Sequence, residues 1–390
     1  MIVGKNLFII SIVLLLVFLS LIALQFNNVL VGFGGDRLFS QYDSQNFYEY
    51  SKVTFNELFS LYNFIAYKAY PAYLISIDNF YSIFFNNVTY QMLILSNYFL
   101  YLIIILIYYK FYFKSYNVPN YIFFLMILEP SLIAFLLTLE REIIISIFLG
   151  LFFLSILYIS NKFLKSLLLL FLLFVIANIR IEISLIILFS SLLYFVYHFY
   201  KKSKKYTKLL LIVMLFCLSL FFFFKISSIL EIYLRHLGSL ETNGGFGSLI
   251  SSLSAVPRII LYSLFYFVMP IPIFAEKNYL YQYFLIFSGF SYSLFWIFIL
   301  LNYKKLEGKL LYLLFLLLLL HIGLGGTLFN IRHRVDIVIP LIIMVLTLSK
   351  IIINNRGYDY LKKQFRQSFK IAFIVIIGLN LIYYIAKGII

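Results

Sequence analysis

The sequence predicts an all-α polytopic membrane protein, and three observations support this fold class: the composition, apolar runs of spanning length, and the placement of basic residues. The chain has 390 residues, of which 64% are hydrophobic and only 12% are charged, and its mean hydropathy is +1.01. Soluble domains carry about twice that share of charged residues. Because so little polar surface cannot cover a folded chain in water, we expect lipid to surround most of it.

Apolar runs divide the whole chain, so a single transmembrane domain is predicted over residues 1–390. A helix needs roughly 20 apolar residues to cross the hydrocarbon core of a bilayer. The first run has this length and lacks the small-residue cleavage site of a secretory signal, which indicates a membrane helix. This criterion predicts about eleven spans, at about 7–25, 90–109, 119–138, 143–160, 166–178, 184–199, 208–224, 283–302, 310–325, 337–352 and 371–386.

The basic residues orient these spans. With the N-terminus inside, 19 of the 31 Lys and Arg residues fall in cytoplasmic loops, together with only two acids, Glu307 and Asp359. This is the bias expected of cytoplasmic loops. The net charge of +16 is therefore an orientation signal, and we expect no nucleic acid as a partner. The lone Cys217 lies in an apolar run, which excludes a disulfide framework and a cysteine metal site.

Two long loops are predicted on the outer side. The first, 26–89, contains a semi-apolar stretch interrupted by Pro71, and we expect short helices lying in the membrane interface. The second, 225–282, contains a glycine-rich part and the apolar run 258–275. If that run crossed the membrane, the basic loops before and after it would lie on opposite sides of the membrane. It is therefore predicted to be a re-entrant or interfacial hairpin that lines a cavity.

Carboxylates near the outer surface are candidate catalytic groups. Asp36 and Asp43 follow the first span and are seven residues apart, so they would share one face of a helix. Glu140 opens a minimal turn between two apolar runs, and Glu129 lies within a predicted span, where an ionisable group marks a functional or paired site. A positioned carboxylate can deprotonate a hydroxyl. The alternatives are a solvated loop start for Asp36 and Asp43 and a charged hairpin cap for Glu140.

Arginines recur at the predicted outer helix ends, against the positive-inside bias. A guanidinium makes bidentate, charge-assisted hydrogen bonds to phosphate. Convergent arginines at headgroup level would suit the pyrophosphate of a polyprenyl-linked sugar. The candidate pyrophosphate-binding residues are Arg141, Arg180, Arg258, Arg332, His333 and Arg334.

Each of these candidates has a simpler interpretation. Arg180 could pair with Glu182, two residues later, and Arg332 to Arg334 could be an interfacial basic cap. His321, inside a leucine-rich span, is interpreted as a core histidine whose hydrogen bonds are satisfied. No two histidines have the spacing of metal ligands.

In this order, the stretches NYFLYLIIILIYYK, EPSL, LEREIII, NIRIE and IRHRVDIVIP resemble segments of bacterial C-type membrane glycosyltransferases and of the related O-antigen and capsule repeat-unit polymerases. The acidic first outer loop, with Asp36 and Asp43, is similar to the catalytic loop of the former. The resemblance implies a GT-C-like helical bundle in the bacterial inner (cytoplasmic) membrane, with its active face towards the periplasm.

The resemblance also implies a chemistry. A glycan would leave undecaprenyl phosphate or pyrophosphate and be attacked by an acceptor hydroxyl, with arginines on the phosphates and a carboxylate as the base. No cofactor is implied, and because the chain has no DxD-like pair, we expect no obligatory metal. The implied partners are the undecaprenyl-linked oligosaccharide, the lipid bilayer and, in the polymerase version, a chain-length regulator protein.

The favoured function is an O-antigen or polysaccharide repeat-unit polymerase, with lipopolysaccharide and capsule both open as products. A single-sugar transferase stays open, because here the long outer loop comes early in the chain rather than late. A flippase for lipid-linked oligosaccharides would have similar hydropathy, but it would place charge along a central path. A channel or sensor would show a repeated polar helix face or a soluble domain, and neither is visible.

Overall fold

A computed structural model describes residues 41–61, 68–113, 129–136, 139–202, 255–268, 279–328 and 332–386. The predicted spans 7–25 and 208–224, most of the span 119–138 and most of the second outer loop lie outside these residues. Within the described ranges the regular structure is helical, without a strand. The helices are α1 (Gln41–Ser51), α2 (Phe55–Leu61), α3 (Ala69–Ser82), α4 (Tyr90–Phe113), α5 (Pro130–Leu136), α6 (Arg141–Tyr158), α7 (Lys162–Ile179), α8 (Ile181–Lys202), α9 (Ala255–Val268), α10 (Tyr279–Leu301), α11 (Lys309–Leu328) and α12 (Arg332–Ala386).

Membrane-spanning length appears in several of these helices. Among the described residues, three segments are long and apolar enough to cross a bilayer: Arg141–Tyr158, Lys162–Ile179 and His333–Ile382. Shorter apolar segments lie in α4, α8, α10 and α11. This confirms the all-α class and the presence of helices able to span a membrane. The number of about eleven crossings and the GT-C-like bundle stay predictions.

The first outer loop contains α1, α2 and α3, and its place in the interface stays a prediction. Pro71 lies in the first turn of α3 instead of interrupting a helix. In that turn the proline's missing N–H has no helical partner to lose. The Lys52 ammonium joins α1 to α3, since it lies 2.5 Å from the Asp78 carboxylate and donates to the Val88 carbonyl at 2.7 Å.

Helix α2 begins with a reciprocal capping box. The Glu57 carboxylate accepts hydrogen bonds from the Thr54 backbone N–H at 2.7 Å and from its hydroxyl at 2.9 Å. In return, the Glu57 N–H donates to the Thr54 hydroxyl at 3.3 Å. These bonds, the backbone one foremost, lower the pKa of Glu57 because they favour its charged form. A Thr-x-x-Glu pattern therefore fixes where α2 starts.

The first half of α12 is the centre of the bundle, with every residue from 335 to 349 buried. Helix α6 packs beside it in the same direction. The Ile339 N–H donates to the Ser146 hydroxyl at 3.2 Å, and the Glu142 carboxylate approaches His333 one turn earlier. A helix that is apolar on all sides is expected where neighbours surround it.

Helix α12 changes direction at Gly357, whose φ of 79° and ψ of 173° are outside the helical region. Apart from this residue, the basic segment predicted as a loop between spans 337–352 and 371–386 is helical. The second half then passes α10 in the opposite direction: Gln364 meets Asn302 at 3.4 Å, and the Phe369 ring meets Phe290 at 4.9 Å. The two halves of α12 therefore form a helical hairpin.

The lengths of α7 and α9 bear on two of the predictions from the sequence. Helix α7 starts at Lys162, capped by Asn161, which accepts from the Leu164 N–H at 3.1 Å. It is therefore longer than the predicted span 166–178. Helix α9 has 14 residues, or about 21 Å of rise, less than the roughly 30 Å of a hydrocarbon core. That 258–275 does not cross stays a prediction.

Candidate functional site

Four ionisable side chains meet where α6, the α7–α8 turn and α12 come together, and we name Glu142, Arg180, His333 and Asp336 the ionic cluster. Arg180 Nη1 lies 2.7 Å from Asp336 Oδ2 and 3.8 Å from Glu142 Oε1. The Arg180 and His333 side chains are 5% exposed, and the two carboxylates are 0% exposed. Buried charges of this kind are tolerated only when they are paired.

The chain holds each member of the ionic cluster at a helix end. Arg180 is the single residue between α7 and α8, with an extended backbone, and its N–H still donates to the Ile176 carbonyl at 2.7 Å. Glu142 is the second residue of α6. His333 and Asp336 are three residues apart in the first turns of α12, so they share one face of that helix.

His333 contributes through its ring nitrogens. Its Nδ1 lies 2.7 Å from Arg180 Nη1 and 3.6 Å from Glu142 Oε1. A guanidinium can only donate, so the short contact requires Nδ1 to accept. In the neutral ring this places the proton on Nε2. The histidine therefore helps to hold the arginine between the two carboxylates.

Arg334 faces a different set of neighbours, and we name Glu129, Tyr266, Tyr292 and Arg334 the arginine–tyrosine pocket. The Arg334 side chain is fully buried, donates to the Tyr266 carbonyl, and lies 5.2 Å and 5.1 Å from the Tyr266 and Tyr292 ring centres. Aromatic faces at these distances attract a cation. Its charge also interacts with that of Glu129.

Glu129 is fixed immediately before α5. Its carboxylate accepts from the Ser131 hydroxyl, from the Leu132 N–H at 3.0 Å, and from the Ser291 hydroxyl of α10 at 2.8 Å. The sequence already indicated that an ionisable group in this apolar stretch must be functional or paired. The structure gives its partners and its charge interaction with Arg334.

The Tyr266 side chain connects the ionic cluster and the arginine–tyrosine pocket. Its ring is fully buried, and its hydroxyl has no hydrogen-bond partner among the described residues. It interacts electrostatically with Arg334, Asp336 and Arg180. A buried phenol normally finds a partner. The Tyr266 phenol is thus a buried polar group on which the charges of both Arg180 and Arg334 act.

His321 is a satisfied core histidine, as the sequence interpretation held. Its Nε2 lies 3.0 Å from the Ser263 carbonyl, which can only accept, so Nε2 carries the proton. Its Nδ1 then accepts from the Tyr292 hydroxyl at 2.7 Å. The ring also stacks on Tyr292 with 5.8 Å between centres. This histidine therefore holds the Tyr292 ring, which lies next to Arg334.

The sequence-predicted site residues are only partly brought together. Arg180, His333 and Arg334 meet around the start of α12, while Glu140 is buried directly before α6 and Arg141 is half-buried at its first position. Asp36 lies outside the described residues. Asp43 in α1, Arg258 in α9 and Arg332 in α12 are placed in helices, but their side chains lie outside the described part.

The sequence predicted most of the charged residues of the site, but it did not predict which of them contact each other. Pairing of Arg180 with Glu182 was the simpler interpretation, yet Arg180 donates a hydrogen bond to the carboxylate of Asp336, 156 residues away. Tyr266 and Tyr292 were not predicted, because the chain has 34 tyrosines and none carries a local signal. A search of the described residues finds no group of three or more His, Cys, Asp or Glu that could hold a metal ion.

Comparison with known proteins gives no further guidance, since no protein-family model, curated protein or solved structure matches this chain.

Proposed function

We propose that this chain is a membrane glycosyltransferase that acts on undecaprenyl-pyrophosphate-linked glycans, with the repeat-unit polymerase as the favoured version. The observation that carries the proposal is the pair of buried arginines, Arg180 and Arg334, whose charges both act on the Tyr266 phenol. Two guanidinium groups can share the charge of a pyrophosphate through charge-assisted hydrogen bonds. The resemblance of the stretches quoted above to segments of enzymes that act on lipid-linked glycans supports the same ligand.

The proposed reaction is a displacement at the anomeric carbon. The acceptor hydroxyl oxygen forms a bond to this carbon, the bond from the carbon to the pyrophosphate oxygen breaks, and the pyrophosphate leaves with the electron pair. The hydroxyl proton passes to a carboxylate, for which Asp36, Asp43 and Glu140 are the candidates. Fixed positive charge next to the departing oxygens lowers the barrier because it stabilises the negative charge that develops on them in the transition state.

In this proposal the remaining members of the ionic cluster have a positioning role. Asp336 and Glu142 hold the Arg180 guanidinium, and His333 contacts the same guanidinium nitrogen. A side chain that its neighbours fix in place loses little conformational freedom when the ligand binds. Arg334 is held in the same way by the Tyr266 carbonyl and two aromatic faces.

The deciding experiment is complementation of a host that lacks this gene, with the glycan ladder on a gel as the readout. Arg180→Ala and Arg334→Ala should remove the ladder when the variants are compared with the wild type at matched amounts of protein in the membrane. Arg→Lys at either position should restore little, because an ammonium lacks the planar fork. The matched control is Arg366→Ala, an exposed arginine in the second half of α12, which should keep the ladder.

The pattern of loss separates the two candidate enzymes. A polymerase variant leaves a single repeat unit attached, whereas loss of a single-sugar transferase truncates or alters the unit itself. The transferase stays a candidate because the first outer loop, which contains three short helices, resembles the catalytic loop of such enzymes. A normal ladder with Arg180→Ala and Arg334→Ala at wild-type protein levels would remove both proposals.

A further inference from the structure

An open apolar cleft lies between α6, α7, α8 and α11, away from the ionic cluster. Its volume is about 510 Å³, within the range of small-molecule sites. The walls are mostly aliphatic and aromatic, and include Ile156, Leu169, Leu173 and Ile187. It is lined by residues 166–173 of α7 and 187–194 of α8, whereas Arg180 lies at the turn between these helices.

The cleft has a cationic mouth. Lys309, the first residue of α11, is part of its lining. Lys165 directly precedes Ser166 of the lining, and the charges of Lys309 and Lys162 both act on its ammonium group. Adjacent ammonium groups repel, so an anion that bridges them would remove an unfavourable contact and add two favourable ones. The mouth of the cleft is thus complementary to a negatively charged group.

The polar groups inside the cleft lie next to this mouth. The hydroxyls of Ser191 and Tyr312 are 2.6 Å apart, and the Tyr194 and Tyr312 rings are 4.9 Å apart. Tyr312 is three residues after Lys309, so both lie on the same face of α11. Beyond these groups the lining is apolar, and the side chains of Leu170 and Leu188 are 65% and 51% exposed. The cleft therefore opens sideways, towards surface that the bilayer would cover.

We propose that this cleft binds an anionic phospholipid of the surrounding bilayer. The phosphate lies between Lys165 and Lys309, the glycerol region lies against Ser191 and Tyr312, and one acyl chain follows the apolar wall of α7. Lysines at a helix end reach headgroup level, where they attract anionic lipid. The proposal does not depend on the glycosyltransferase reaction, because it concerns the opposite end of α7 and α8.

The test uses the purified full-length protein in a non-ionic detergent, with the melting temperature followed through the fluorescence of its single tryptophan, Trp296. Dioleoylphosphatidylglycerol should raise the melting temperature in a saturable manner. Dioleoylphosphatidylcholine and inorganic phosphate should not, since the first lacks net charge and the second lacks the acyl chains. In Lys165→Gln/Lys309→Gln the half-saturating concentration of phosphatidylglycerol should rise roughly 25-fold, at about fivefold per lysine.

The control keeps the same change in charge elsewhere. Lys362 and Lys363 are exposed lysines of α12, and Lys362→Gln/Lys363→Gln should leave the phosphatidylglycerol response unchanged. Lys165→Arg/Lys309→Arg should retain most of the response. Equal stabilisation by phosphatidylcholine or by phosphate alone would overturn the proposal, and that comparison needs only the wild-type protein. An unchanged response in the glutamine variant, or an equal loss in the control, would overturn it as well.

Discussion

At the scale of single residues, Arg180 shows how an arginine is accommodated inside an apolar bundle. Its guanidinium is 5% exposed and is 2.7 Å from Asp336 and 3.8 Å from Glu142. Removing one partner of a buried ion pair leaves an uncompensated charge, which costs about 3–5 kcal/mol. The three charges of the cluster should therefore behave as one unit in stability measurements.

This dependence predicts strong coupling between Arg180 and Asp336. Arg180→Ala and Asp336→Ala should each lower the stability of the detergent-solubilised protein, and the double variant should be less destabilised than the sum by about 2–3 kcal/mol. The measurement is a double-mutant cycle in unfolding by denaturing detergent. The control pair, Asp359 and Lys363, also has opposite charges, is exposed and lies four residues apart in the second half of α12, so its coupling should be below about 1 kcal/mol. Additive effects at Arg180 and Asp336 would contradict the pairing.

The sequence predicted several residues of the site but not the contacts between them. Arg180, His333 and Arg334 were candidates because a charge at an apolar helix end needs a reason to be there. Their contacts were not predictable, since a single sequence has no information on which of two residues 156 positions apart will touch. Tyr266 had no signal at all, because its role depends on where α9 packs.

At the scale of elements, apolar runs predicted the long apolar helices that the described residues contain, and local backbone chemistry set the ends of such helices. Asn161 starts α7 earlier than its apolar run does, because its side chain caps the Leu164 N–H. The turn at Gly357 was not predicted, for a different reason. The segment around it is polar and basic, so it was predicted as a loop, although its residues continue as helix on both sides.

Gly357 is therefore expected to be sensitive to an added Cβ. At φ 79°, any L side chain is strained, and Gly357→Ala should cost about 1–2 kcal/mol. Gly378→Ala is the matched control in the same helix: its backbone is helical and a Cβ there would meet no atom within 4 Å. It should be neutral or stabilise by about 0.5–1 kcal/mol. Thermal melting of both variants gives the comparison, and equal effects would mean that the glycine conformation is not what turns α12.

At the scale of the whole molecule, the two ends of the described bundle differ in chemistry. Helix α7 has Lys162 at one end and Arg180 at the other, 18 residues apart, or about 27 Å. The lysine end continues through Lys304, Lys305 and Lys309, whereas the arginine end holds the ionic cluster. In the described residues, these lysines therefore lie at the helix ends that the sequence predicts to be cytoplasmic. The charge pattern could be predicted without any contact, because it depends only on which loop a residue occupies.

The last prediction is the orientation that this partition implies. Because positive loops stay in the cytoplasm, alkaline phosphatase fused at the lysine end should be inactive after Asn161, Ser203 and Gly357. Fusions after Gln45 and Thr242, in the two predicted outer loops, should be active, since the enzyme folds only when exported. A green fluorescent protein fused at the same five positions should give the opposite pattern and controls for expression. Activity after Asn161 or Ser203 would place the lysine end outside. The arginine site would then face the cytoplasm, and an outward-facing glycosyltransferase could no longer use it.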